Sequence, residues 1–327
     1  MGKIFSSVTE LIGNTPLLEI KNYEEKLGLK TRILVKLEYL NPNNNQKDRM
    51  ALNMIEDAEE KGMIKPGYTI VEFTSGNTGV SLAALCAAKG YKFRAYLQDA
   101  ASDERIKLIK VYGGEAVRIS EVPLLKEVFY GTNENLEATA KVIREDILGH
   151  EENTYFMYQG GNPSNPESYE KSMGPEIWKD TEGDLDILVV PVGTGGTISG
   201  AGRYLKARKS DIRIIGVQPG KNSVPSETNP SPETIIGIHP FVDIPEDAKR
   251  PTLDINVIDE SFDVETAEAY SAARTLAKTE GILAGISSGA SLHAATVLAQ
   301  KTENAGKTIV TILPDTGLFY LSTNLFF

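Results

Sequence analysis

Residues 186–192 read Asp-Ile-Leu-Val-Val-Pro-Val and run directly into Gly-Thr-Gly-Gly-Thr, residues 193–197. A run that is apolar at nearly every position, not at every second one, suits a strand buried on both faces. Such strands belong to parallel sheets covered by helices on either side. The glycines open a helix that reads through Lys206, and the next strand is Ile212–Val217. The same order occurs earlier: a strand at Tyr68–Phe73, the turn Thr-Ser-Gly-Asn-Thr-Gly at 74–79, an alanine-rich helix ending at Gly90, and a strand at Lys92–Leu97. Strand, turn, helix and strand repeated in this way make βαβ units. The expected fold is therefore α/β, and 327 residues suffice for two domains, each with a central, mostly parallel twisted sheet flanked by helices. Ser120–Gly149, more polar and helical, reads as a join between them, and Pro225–Thr234 as a polar surface loop.

Leu40–Gly62 raises a question of charge. Three asparagines precede an amphipathic helix, with Asn45 expected as N-cap and Asp48 as its capping-box partner. Met50, Met54, Ile55 and Ala58 share one face, and Gly62 is the stop. Lys47 falls in the first turn, where the helix dipole already places positive charge. Alone it reads as a solvated lysine on a fraying first turn; with partners around it, the positive helix end and partial burial would lower its pKa and free the amine to attack a carbonyl.

Three glycine-rich turns could supply its partners. Thr74–Gly79 sets hydroxyls, an amide and helix-start N–H groups above a strand end, a cradle suited to a carboxylate or phosphate. Gly193–Thr197 allows a backbone to wrap one phosphate. It is no Walker loop, and Ile198 and Gln218 stand where a dinucleotide fingerprint needs glycine and an acid, which disfavours a nicotinamide dehydrogenase. Gly285–Ser291 offers Ser287, either as a helix cap or as a neutral hydroxyl facing a ligand. Singly, each is also consistent with an ordinary turn. Together a lysine, a carboxylate cradle, a phosphate cup and a hydroxyl meet the needs of pyridoxal 5′-phosphate.

Bulk properties remove other classes. A net charge of −11 argues against nucleic acid or an anionic membrane surface as partner. No apolar run is long enough to span a bilayer. Cys86 is the single cysteine and His150, His239 and His293 are far apart, so neither a disulfide nor a metal site is expected, and a cytoplasmic setting is.

These motifs, in this order, resemble the cysteine synthase (O-acetylserine sulfhydrylase) family of fold type II pyridoxal-phosphate enzymes. The resemblance runs from Ile12–Ile20 through Lys47–Ile55, Thr74–Gly79, Asn162–Glu167, Gly193–Gly200 and Gly285–Ser291 to Leu313–Gly317 and Tyr320–Thr323. It implies Lys47 as the Schiff-base lysine and general base. Asn77 is implied to bind the cofactor's ring oxygen, and Gly193, Thr194, Gly195, Gly196 and Thr197 its phosphate. Ser287 would face its pyridine nitrogen, and Thr74, Ser75, Thr78 and Gln159 would hold the substrate carboxylate. It further implies a smaller domain at 47–150, a larger one from 1–46 plus 151–327, a site between them and a homodimer. The implied reaction removes the β-substituent of a small amino acid to give an α-aminoacrylate, to which sulfide or a thiol adds. A serine at 287 makes the ring a weak electron sink, which favours elimination over transamination.

The sequence departs from the family pattern at Asn43–Gln46, which replace Gly-Gly-Ser-Val, and at Gly160, which replaces an aromatic and should open the pocket. His239 and Asp243 are candidate acid–base groups, and Leu318 and Phe319 replace a charged pair. The leading expectation is cysteine synthesis from O-acetylserine and sulfide. The alternative is a cysteine-degrading, sulfide-releasing enzyme that forms serine, lanthionine or pyruvate. A protein that only binds a partner peptide is disfavoured by the joint presence of Lys47, Asn77 and Ser287.

Overall fold

The computed structural model describes residues 4–131 and 136–327. Among the described residues the strands are β1 (Leu17–Glu19), β2 (Arg32–Leu37), β3 (Thr69–Thr74), β4 (Lys92–Leu97), β5 (Glu115–Arg118), β6 (Thr154–Phe156), β7 (Ile187–Pro191), β8 (Arg213–Pro219), β9 (Glu260–Val264) and β10 (Thr308–Leu313). The larger sheet runs β1-β2-β10-β7-β8-β9, with only β1 antiparallel to its neighbour. The smaller runs β5-β4-β3-β6 and is wholly parallel. It takes in β6 from beyond residue 150.

Every residue of β7 and β10 is buried, as the continuous apolar run requires. The alternation of side chains across a strand divides β7 between two cores. Leu188 and Val190 join Ile198, Ala201 and Leu205 of the helix Gly196–Lys206. Ile187 and Val189 join Leu292, Ala294 and Ala295 of the helix Ile286–Gln300 on the other face. The first core continues through Met50, Met54 and Ile55 of the helix Lys47–Glu60 to Ile70, Phe93 and Ala95 of the smaller sheet. The expected apolar face of that helix is buried, and Gly62 follows its end with φ 68°.

Residues 120–149 do more than join two domains. Leu125, Phe129 and Ile143 pack on Val71, Phe73 and Tyr96, so the segment covers one face of the smaller sheet. Its apolar positions are sparse but recur at helical spacing, which is why it reads as polar yet buries a stripe. The carboxyl ends of β2, β3, β7 and β10 lead into the loops that line one cleft, the usual place for a ligand in open parallel sheets.

Candidate active site

The cleft holds about 830 Å³ not filled by atoms, part of it open to solvent. Its walls include Lys47, Thr74, Ser75, Asn77, Thr78, Gln159, Gly193, Thr194, His239 and Ser287. A smaller adjoining space of about 290 Å³ is lined by Gly193, Thr194, Gly195, Thr197, Lys47 and Ser287. Residues that are distant in sequence are thus brought together as the turns suggested. Gly196 lines neither space, because it packs against the Asn165 side chain.

Lys47 is the first residue of its helix. Burial lowers its pKa to about 8, an effect only partly offset by the Asp315 carboxylate. The loop before it differs from the expected cap. Gln46 is the N-cap, and Asp48 accepts from Asn43 N and Nδ2 at 2.8 and 3.0 Å, not from Asn45. Asn45 Oδ1 accepts the Lys47 N–H at 2.9 Å and the Ser81 hydroxyl at 3.1 Å. The asparagines are therefore loop braces, and Asn44 takes the left-handed backbone (φ 57°) that asparagine tolerates. Of these four replacements only Gln46 lines the cleft.

The turn after β3 is shaped by Gly76, whose φ of 142° and contact with Arg105 leave no room for a Cβ. It delivers Asn77 to a tight network. Arg105 Nε donates to Asn77 Oδ1 at 2.7 Å, and Asn77 Nδ2 donates to Asp315 Oδ2 at 2.7 Å. Arg105 Nη2 and the Tyr320 hydroxyl also donate to Asp315, at 3.1 and 2.7 Å. Asn77 is held in one orientation with its second amide hydrogen left over. On the same wall Thr78 Oγ1 donates to Gln159 Oε1 at 2.7 Å, and Gln159 Nε2 donates to Phe73 O at 3.1 Å. The Gln159 N–H donates to Glu72 at 3.0 Å, and burial raises the Glu72 carboxyl to about 8.

The Gly193–Thr197 loop ends β7 and starts a helix. Gly195 has φ 90°, with Leu253 packed where a side chain would go. The backbone N–H groups of Thr194, Gly195, Gly196 and Thr197 find no acceptor among the described residues. Free donors at a helix start beside a small cavity fit a phosphate. Ser287 is not the helix cap, a role taken by Gly285, and its buried hydroxyl lines both spaces. This donor set fits pyridoxal phosphate: an amine for the aldehyde, free N–H groups for the phosphate, and neutral groups for the ring.

His239 lines the cleft, but burial, then Arg250 and Lys47, press its pKa down to about 3. It stays neutral and is a poor proton acceptor. Asp243 is not brought to the cleft: it is exposed, at a left-handed backbone position with φ 54°. Gly160 lines the cleft, yet the Tyr158 ring lies 3.6 Å from the place of its absent Cβ and restores an aromatic wall. Sequence reading missed Arg250, Glu72, Tyr158 and the Arg105–Asp315–Tyr320 network. Of these, Glu72, Asp315 and Tyr320 sat in stretches already singled out.

Residues 8–315 match the family model described as "Pyridoxal-phosphate dependent enzyme". The chain is 39% identical over 328 residues to cysteine synthase A of Escherichia coli (strain K12), covering 100% of this chain and 97% of that protein. Among solved structures, O-acetyl serine sulfhydrylase isoform 3 from Entamoeba histolytica superposes with a TM-score of 0.84 at 35% identity, covering 99% of this chain and 92% of that one. A hydrogen sulfide-producing enzyme from Fusobacterium nucleatum superposes with a TM-score of 0.83 at 34% identity, covering 97% of this chain and 100% of that one.

Proposed function

The chain belongs to the pyridoxal-phosphate dependent enzymes, and from that premise we propose that it makes cysteine from O-acetylserine and sulfide by β-replacement. The observation that carries the reading is one cleft uniting the Lys47 amine, the Thr74–Ser75–Thr78–Gln159 wall and the free N–H groups of the Gly193–Thr197 loop. Bound there, pyridoxal phosphate supplies an electron sink for the pair left when a substrate loses its α-proton. The Gly193–Thr197 N–H groups would hold its phosphate, Asn77 its ring oxygen and Ser287 its pyridine nitrogen. Thr74, Ser75, Thr78 and Gln159 would hold the substrate carboxylate. Lys47, whose pKa burial lowers to about 8, would take the α-proton as general base. A neutral hydroxyl at Ser287 would hold no proton on the ring nitrogen as a carboxylate would, which favours loss of the β-substituent.

Against serine or lanthionine as the product stands the shortage, among the described residues, of a second base. Asp243 lies outside the cleft, His239 is too weakly basic, and Glu72 is engaged by the Phe73 and Gln159 N–H groups. Water or a second amino acid therefore lacks an activating group, whereas hydrosulfide needs none. The same proposal takes the two sheets as two domains, near 47–150 and 1–46 plus 151–327, in a cytoplasmic homodimer. No helix among the described residues is long and apolar enough to cross a membrane.

The holoenzyme should be mixed with O-acetylserine plus sulfide, and separately with cysteine alone, and the products separated by chromatography. Cysteine should form rapidly in the first mixture and sulfide only slowly in the second. No cysteine in the first mixture would overturn the reading. Sedimentation should give twice the chain mass.

A further inference from the structure

The loop from residue 239 to 254 brings a charge into the cleft that no ion pair among the described residues neutralises. Arg250 lines the cleft beside His239 and Gly237. Its Nη2 donates to Pro240 O at 3.0 Å, while Nε and Nη1 are buried with no hydrogen-bond partner. The other titratable groups on the cleft walls are Lys47, His239, Tyr158 and Glu72. Glu72 spends its two oxygens on the Phe73 and Gln159 N–H groups. No ion pair reaches Arg250 among the described residues.

The arginine is fixed in place. Two residues on, the Thr252 hydroxyl is bonded to both Gly160 O (3.0 Å) and Thr194 O (2.7 Å), and Leu253 seals Gly195. The Asp254 N–H then donates to Ser199 Oγ at 2.8 Å. A half-buried guanidinium with two buried, idle donors is costly unless an anion completes it. The cofactor phosphate is not that anion, because the small space at the Gly193–Thr197 loop has neither Arg250 nor His239 in its walls. The α-carboxylate is not either, because its donors stand on the wall formed by β3, the turn after it and Gln159.

We propose that Arg250, with neutral His239 beside it, forms a second oxyanion subsite. It takes a carboxylate or phosphate carried on the β-substituent of the amino-acid substrate, or on the thiol that replaces it. Guanidinium is built for such groups, presenting two parallel N–H donors. The β-substituent of bound O-acetylserine is an uncharged ester, so it offers the guanidinium no full anion before acetate departs. The subsite therefore defines a substrate class with anionic side chains, within the β-replacement reading on which this proposal rests.

Binding separates the subsite from turnover. L-Alanine, L-aspartate and L-2-amino-3-phosphonopropionate carry no leaving group, so calorimetry on the holoenzyme reports their affinity alone. Wild type should bind an anionic member at least about tenfold more tightly than alanine, and Arg250→Gln should abolish that preference with alanine affinity unchanged. Arg250→Lys should restore part of it. A wild-type enzyme that does not favour either anion overturns the proposal, and this holds even if Arg250→Gln fails to fold. Turnover of O-acetylserine with mercaptoacetate or with 2-mercaptoethanol then locates the anion. A rise in KM for mercaptoacetate alone in Arg250→Gln places it on the incoming thiol, and no rise places it on the β-substituent. If O-acetylserine is turned over with no acceptor, the β-replacement reading fails while the binding result still decides the subsite.

Discussion

Lys47 turns a local instability into reactivity. Its amine is held near a pKa of 8 by burial, so below that value most of it is protonated and cannot form a Schiff base. Capture of pyridoxal phosphate by the apoprotein should quicken as pH rises towards about 8 and level off above it. Stopped-flow absorbance would follow this, and borohydride reduction with peptide mapping should place the label on Lys47. A label on another lysine would remove the assignment. Glu72 shows the opposite linkage. Burial raises its carboxyl from 4.5 to about 8, so the folded protein holds that proton more tightly than the unfolded chain. Its contribution to stability is complete below the ordinary value and is lost as pH climbs to about 8. Glu72→Gln cannot titrate. Relative to wild type it should gain stability across that window, by up to about 1.4 kcal/mol per pH unit. Denaturant titrations at both ends of the window test this, and parallel curves would show that Glu72 does not hold its proton.

Between elements, contact distance sets tolerance. The helices Gly196–Lys206 and Ser164–Lys171 cross at Gly200, where an added Cβ would lie 2.0 Å from the Pro166 carbonyl oxygen. That atom is backbone and cannot swing away. Gly200→Ala should cost about 1–3 kcal/mol in denaturant unfolding and weaken cofactor binding, because the same helix begins at the phosphate loop. An unchanged midpoint would show that the helices can slide apart. Elements were also where sequence reading worked best. The run at 187–191 and the glycine turns name strands and helix starts because their signals lie within a few neighbouring residues. That Lys47, Asn77 and Ser287 would line one cleft was legible only from several motifs taken together in order, because each alone reads as an ordinary helix start or turn. The Asn45 cap was not legible, because Ser81, 36 residues away, claims its side-chain oxygen from outside any local pattern. Arg105 was hidden because its meaning depends on Asp315, 210 residues away. Arg250 was hidden because its loop carries no motif, and Asp243 misled because polarity in a loop says nothing about direction.

Across the molecule, one ionic cluster ties the end of β2 to two helices. Arg49 Nε donates to Glu38 at 2.7 Å, and its Nη1 donates to Glu176 at 2.6 Å. Glu176 also meets the buried Lys36 at 2.9 Å. Arg49→Met would strand the buried Glu38 carboxylate without its charge partner. The expected loss is about 3–5 kcal/mol, read as a fall in the unfolding midpoint. A loss under about 1 kcal/mol would mean that water replaces the guanidinium.

The order of the larger sheet also sets a calendar. β10 leaves the ribosome after the other nine strands among the described residues, yet it lies between β2 and β7. Until residues 308–313 emerge, those two strands share no neighbour, and each presents an open edge able to stick to other chains. The loop that leads to Lys47 follows β2, and the Gly193–Thr197 loop follows β7. A nascent chain therefore carries every residue of the Gly193–Thr197 cup and the lysine long before the sheet that sets them face to face exists. Synthesis halted between residues 288 and 307 yields a chain that holds Lys47, the Gly193–Thr197 loop and Ser287 without the strand that sets them face to face.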